Sequence, residues 1–213
     1  MKKHLLFSLL AAASFSLQGN DGVYSFDFGT AASPLREGFI RVTPGKGSGY
    51  TWSSKGKLRA VANKILESQE NKKRHSIEPP PVYFNDLSCD HVTGSAETVL
   101  TLKVPAGRYM AWAVCGHAGG RRIRDFVWNI QMGGQEINNW RNYAIRELVF
   151  PVKADGQGAR ITIKTKSAWL INALLLVPEK QWESFRKSDG FRSLYNEMFH
   201  LSDERLKQWK HRF

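Results

Sequence analysis

Cysteine is scarce. Cys89 and Cys115 are the only two in 213 residues, too few for a disulfide-held miniature fold, so the chain must stabilise itself by burying apolar surface. In an oxidising compartment the two could pair if the fold brings their Cα atoms within about 7 Å. Cys115, inside an alternating apolar run, also reads as a small buried hydrophobe. Catalytic signatures are missing as well. No G-x-S-x-G elbow, H-E-x-x-H pair or phosphate-binding P-loop occurs. His4, His75, His91, His117, His200 and His211 are scattered without ligand spacing. Asp90 and His91 are neighbours in sequence, but adjacency is not the geometry a catalytic pair requires. These absences favour binding over catalysis. Nor is there a stretch of about 20 apolar residues of the kind that spans a bilayer as a helix. Acidic side chains are few, 19 against 31 Lys and Arg, for a net charge of +12.

What is present begins with an export pattern. Lys2 and Lys3 form a positive start, Leu5 to Leu17 an apolar core, and Ser14 and Ser16 offer small residues for cleavage before Asn20. The expectation is a signal peptide over 1–19 and a mature protein that is periplasmic or extracellular. The remaining length suits one domain over 20–178, followed by an amphipathic tail over 179–213.

Tyr24 to Phe28 and Phe39 to Val42 are short β-like runs separated by Gly29, Pro34 and Gly38. Gly45, Gly47 and Gly49 make a loop before Tyr50 and Trp52. Leu58, Val61, Ala62, Ile65 and Leu66 recur at helical spacing, which predicts one inserted amphipathic helix between Lys57 and Glu70. The three prolines Pro79 to Pro81 close that segment. Strand-like runs then follow over Thr98 to Val104, Arg108 to Cys115, Phe126 to Met132, Ala144 to Val152, Arg160 to Thr165 and Trp169 to Val177, with Asp155 and Gly156 as a hairpin turn. About eight strands without helical crossovers indicate an all-β, jelly-roll type sandwich. Trp112, Trp128 and Trp169 lie in these strands and are expected to fill the core between the sheets. Beyond Pro178, Trp182, Phe185, Leu194, Tyr195, Met198, Phe199, Leu206 and Trp209 lie among charges. They predict one or two helices, broken near Gly190 and Ser202, that pack across the sandwich or engage another protein or domain.

Tyr24-Ser-Phe-Asp-Phe-Gly29, Gly38-Phe-Ile-Arg-Val42 and Gly49-Tyr-Thr-Trp52 resemble the opening of galactose-binding-like β-sandwich domains. These occur as malectin-like and carbohydrate-binding modules and at the N-terminus of pectin-active esterases and lyases. Val104-Pro-Ala-Gly-Arg-Tyr109 resembles the family's strand, turn and strand, and Trp169-Leu-Ile-Asn-Ala-Leu-Leu-Leu176 its closing strand. The resemblance covers about residues 23 to 178 and is interrupted by the basic insertion 55–78. It implies a glycan-binding module without catalysis of its own, in some members with a calcium-stabilised element. Other members have no known ligand, and the alternatives for this chain are a structural or protein-interaction domain without a glycan ligand, or an accessory part of a polysaccharide esterase, lyase or glycoside hydrolase.

Sugars are held by aromatic faces with polar groups at their edges. The candidate ligand-binding residues are therefore His117, Arg121 and Arg122 after one strand, Asn139, Trp140 and Tyr143 in another connection, and Trp52 beyond the glycine-rich loop. Trp140 has the alternative role of capping one end of the core. Arg121, Arg122 and Arg124 beside this site point to an acidic polysaccharide met by guanidinium forks. Nucleic acid is disfavoured because no recognised reading module is present. Asp27, Asp86 and Asp90 are the carboxylates that could hold a structural calcium ion, although their spacing matches no EF-hand loop. Turn capping is the competing role for Asp86 and Asp90.

Overall fold

The structure, a computed structural model, describes residues 22–62, 87–88, 90–116, 128–139 and 145–199, without the side chains of 128, 138 and 139. Thirteen strands lie in these residues: β1 (Tyr24–Phe28), β2 (Ile40–Val42), β3 (Tyr50–Ser54), β4 (Arg59–Ala62), β5 (Asp90–Gly94), β6 (Thr98–Leu102), β7 (Gly107–Gly116), β8 (Trp128–Met132), β9 (Gln135–Asn139), β10 (Ile145–Asp155), β11 (Gly158–Ile163), β12 (Trp169–Ile171) and β13 (Ala173–Pro178). Eight build one large sheet in the order β2-β1-β13-β7-β10-β11-β6-β3. A three-stranded sheet, β12-β5-β4, and the β8-β9 hairpin contribute Val92, Trp169, Leu170, Ile171, Ile130 and Met132 to the core against its inner face. The result is the all-β sandwich the strand pattern predicts.

Strand β7 explains the architecture. Tyr109, Ala111, Ala113 and Cys115 belong to the core between the sheets, whereas Trp112 and Val114 belong to a second apolar cluster on the outer face. Strand β13 divides likewise, Leu174 and Leu176 inward, Ala173, Leu175 and Val177 outward. Because side chains alternate between faces, a strand covered on both sides reads as an unbroken apolar run. The stretches Ala-Trp-Ala-Val-Cys and Ala-Leu-Leu-Leu-Val are such runs.

The cover on the outer face is the tail. A 3₁₀ turn (Glu179–Gln181) leads into α1 (Trp182–Phe185) and α2 (Asp189–Phe199). Phe191, Leu194 and Met198 of α2 are buried with Trp112, Val114, Leu175 and Val177. Each such side chain contributes about 1.5–3 kcal/mol when removed from water. Ser188 separates the helices, its hydroxyl donating to the Phe185 carbonyl at 2.7 Å and accepting from the Phe191 amide at 3.2 Å, an N-cap arrangement. Gly190 falls inside the first turn of α2 rather than at the break. Arg36, in the loop before β2, pairs with Glu197 of α2. The described part of the tail thus spends its apolar face on the sandwich.

Several expectations change. Residues 58–62, placed in a helix by their spacing, instead include β4, which pairs antiparallel with β5 through Arg59↔Thr93 and Val61↔His91. Leu58 and Ala60 both pack against the inner core. That period of two fits the same letters, and tertiary pairing decided the outcome; residues 63–70 lie outside the described set. Trp112 is fully buried, but under α2 rather than between the sheets. Cys115 is a buried free thiol, so the suggested pairing with Cys89 is not made; Cys89 is outside the described residues. Trp169 to Val177 is two strands in different sheets.

Asn172 makes that switch. Its amide donates to the Val114 carbonyl, its carbonyl accepts from the Phe28 amide, and its side-chain amide donates to the Asp90 carbonyl, each at 2.8 Å. One fully buried residue therefore joins β1, β5 and β7 as the chain crosses between sheets. Pro151 sits mid-strand in β10 without breaking it. Val149 two residues earlier directs its amide and carbonyl away from β7, to the side-chain amide of Gln135. Pro151 shares that orientation, so its missing N–H falls on a side where no ladder bond is owed.

Candidate functional site

Strand register gathers three connections at one end of the sandwich. Gly116, the last residue of β7, is the Cα partner of Ile145, the first of β10. Segments 117–127 and 140–144 therefore begin or end side by side. Ala62, the last residue of β4, is the partner of Asp90, the first of β5, and Asn172 ties Asp90 to the ends of β1 and β7. The insertion after β4 thus leaves from and returns to this same end.

Of the predicted ligand residues, His117, Arg121, Arg122, Trp140 and Tyr143 lie outside the described residues, and Asn139 is the last residue of β9 with its side chain undescribed. Arg146, which sequence reasoning passed over, is exposed at the second position of β10. It is partnered with Cys115 and so lies on the inner side of the sheet at the loop end, one residue beyond Ile145. The signal for it was available: an arginine directly after the apolar Ala144 and Ile145 at the start of a strand-like run. Trp52 lies in β3. Strand β3 is the far edge of the large sheet, and the Trp52 ring stacks on Trp169 at 6.0 Å and meets Phe28 edge-on at 6.1 Å. Its indole N–H donates to the Thr43 carbonyl at 2.7 Å. Through the edge-on contact its ring reaches Phe28, the last residue of β1.

The acidic residues at this end are buried. Asp27 and Asp90 are fully enclosed. A Cβ on Gly29 would lie 1.6 Å from the Asp90 Oδ2, which makes glycine obligatory where the carboxylate crosses the backbone. His91 is also buried, and strand alternation sends it and Asp90 to opposite faces. Among the described residues no three His, Cys, Asp or Glu side chains converge on a point that could hold a metal ion. Asp86, the third carboxylate of the expected set, lies outside the described residues.

Burial pushes the Cys115 thiol far above its ordinary range, which keeps it protonated and inert. A cleft of about 700 Å³ lies between the tail and the edge of the large sheet; its walls include Val23, Phe39, Phe185 and Phe191, with Arg36 and Ser25 as polar groups. Among the described residues no helix is long and apolar enough to cross a membrane.

The fold and this site define an all-β sandwich with a loop-bearing end and a helix-covered outer face. No family model matches the chain, and no curated protein does. Solved structures similar to it include the plant receptor-like kinase FER, at 14% identity over 73% of this chain and 42% of that one, with a TM-score of 0.43. The β-glucuronidase of Bacteroides uniformis is similar at 13% identity over 73% of this chain and 18% of that one, also with a TM-score of 0.43. The GH26-CBM35 β-(1,4)-mannanase of Podospora anserina is similar at 11% identity over 62% and 28%, with a TM-score of 0.30. The chain matches less than half the length of each.

Proposed function

We propose that the chain is a non-catalytic carbohydrate-binding module of an exported protein, associated with polysaccharide degradation and directed to acidic polysaccharide. The observation that carries this reading is the Gly116↔Ile145 pairing. It makes neighbours of the roots of two segments that together hold His117, Arg121, Arg122, Arg124, Trp140, Arg141 and Tyr143 against one acidic residue, Asp125, with the exposed Arg146 beside them. Stacking rings and guanidinium forks are the groups that recognise a uronate or sulfated sugar. A structural calcium ion would have to draw on Asp86 or on backbone carbonyls beyond Asp27 and Asp90.

Glycan-array binding of the full chain tests this. Binding to acidic polysaccharides, weakened by Trp140→Ala and by Tyr143→Ala at nearly unchanged melting temperature, is the expected result. A folded sample that binds neither neutral nor acidic glycans would overturn the reading in favour of a protein-interaction domain. Release of sugars or acetate from a bound polymer would overturn its non-catalytic part.

A further inference from the structure

Among the described residues, the helices cover the outer face of the large sheet over β1, β13, β7 and the Ile145–Val149 part of β10. Beyond that cover, register lines up a transverse row. Arg108 of β7 is the Cα partner of Lys153 of β10. The Ala154↔Ala159 pairing sets Lys153 opposite Arg160 of β11, which is partnered with Thr101 of β6, itself partnered with Thr51 of β3. Their strand neighbours Tyr109, Val152, Ala154, Ala159, Ile161, Leu100, Leu102 and Tyr50 all belong to the inner core, so alternation places the whole row on the outer face. Arg108, Lys153 and Arg160 are exposed.

Three cations side by side across adjacent strands oppose one another, because like charges directly across a sheet destabilise it. Arg108 is offset by Glu179 at 2.6 Å. Among the described residues, Lys153 and Arg160 form no ion pair, and the nearby Asp155 is engaged in its own turn, accepting from the Gln157 amide at 2.8 Å. Strands lie about 4.8 Å apart, close to the length of one pyranose residue, and the row continues from charges into the hydroxyls of Thr101 and Thr51. A flat sheet face also lacks the projecting helix or ribbon that enters a DNA groove.

We propose that this row is a second binding surface, separate from the loop end, on which a linear acidic polysaccharide lies across the strands. Its carboxylate or sulfate groups meet Arg108, Lys153 and Arg160, and its hydroxyls meet Thr101 and Thr51. The ligand class rests on the glycan reading above, but the two surfaces fail separately.

The test titrates the full chain with sodium polygalacturonate, dextran sulfate and neutral dextran. The Lys153→Gln/Arg160→Gln variant is expected to lose about tenfold or more in affinity for whichever acidic polymer binds, since each cation supplies a charge-assisted hydrogen bond. Lys153→Arg/Arg160→Lys is expected to keep it. A control with the same net charge, Lys46→Gln/Lys187→Gln, removes exposed lysines away from the row and is expected to bind within about twofold of the unaltered protein, as long-range screening predicts. The proposal is overturned if the row variant binds like the unaltered protein, or if the control loses as much. It is also overturned if no polyanion binds, or if duplex DNA or phosphatidylglycerol vesicles bind more tightly than both acidic polysaccharides. Loss in Arg121→Ala/Arg122→Ala alone removes this surface and leaves the loop end. Loss in the row variant alone does the reverse.

Discussion

The Tyr195 hydroxyl of α2 donates to Glu147 of β10 at 3.2 Å, and the same carboxylate accepts from the Trp112 indole through its other oxygen. One acidic side chain thus holds both the tail and the aromatic that the tail covers. The described part of the tail is thereby tied to the sheet it covers.

Phe191 meets Trp112 edge-on at 5.3 Å, and both are buried. Phe191→Ala and Trp112→Ala are each expected to cost about 3–5 kcal/mol. Urea denaturation should show one shifted transition in each case. A separate low-stability step confined to the tail would mean that it docks without cooperativity.

Burial, then the neighbouring Glu147, raise the Tyr195 pKa above its ordinary value. The folded state therefore holds that proton more tightly than the unfolded state, and stability falls as pH rises above about 10, where an unfolded tyrosine ionises. Tyr195→Phe should lose a little stability at neutral pH, about 1 kcal/mol for one hydrogen bond, while flattening the alkaline limb of the melting curve. An unchanged alkaline slope would assign that limb to other groups, Tyr109 first, whose pKa is also raised.

At the acid end the sign reverses. The hydrogen bond from Arg36 lowers the Glu197 pKa, so the pair stabilises above the ordinary carboxylate range and that contribution is lost as pH falls through the lowered value. Both side chains are partly exposed, which keeps the effect small. Arg36→Gln should leave stability at pH 3 nearly unaltered and lower it slightly at pH 7, read from paired thermal melts.

Gly29→Ala is expected to destabilise by about 2–3 kcal/mol, because its new Cβ would coincide with the Asp90 carboxylate. Combined with Asp90→Gly, which empties that space, the alanine should cost much less. A double-mutant cycle measures the coupling, and strict additivity would show that the clash is relieved some other way.

Lys153→Gln alone should raise the melting temperature by about a degree, since it removes one of three opposed cations on the outer sheet face.

The strands easiest to anticipate were those with long apolar or alternating runs. Tyr24 to Phe28 coincides with β1 and Thr98 to Leu102 with most of its expected run, because each must bury one face. The Asp155 and Gly156 turn was legible from turn chemistry, and the Asp155 carboxylate does accept from the backbone two residues on. Strand β4 was not legible, since Leu58, Val61 and Ala62 fit a helical period while Leu58 and Ala60 fit an extended one, and only β5, more than twenty residues later, decides between them. Asp90–Gly94 carries too little apolar sequence to announce a strand, yet every residue but Thr93 is buried by partners distant in the chain. The second apolar cluster was half visible: the tail's amphipathic character was plain, while the face it covers needed the two-sided burial of β7 and β13. For the site, the order of motifs located the loops, but their adjacency came from register alone.

The antiparallel pairing of β1 with β13, Tyr24 opposite Leu176, carries a cost in time. The first of the described strands cannot be satisfied on this side until the last of them has left the ribosome, so it must wait through the synthesis of some 150 residues with an open, aromatic-rich edge. Such long-range closure slows folding and lengthens exposure to wrong partners. The chain should therefore be far more dependent on holding factors while it is being made than its finished stability suggests.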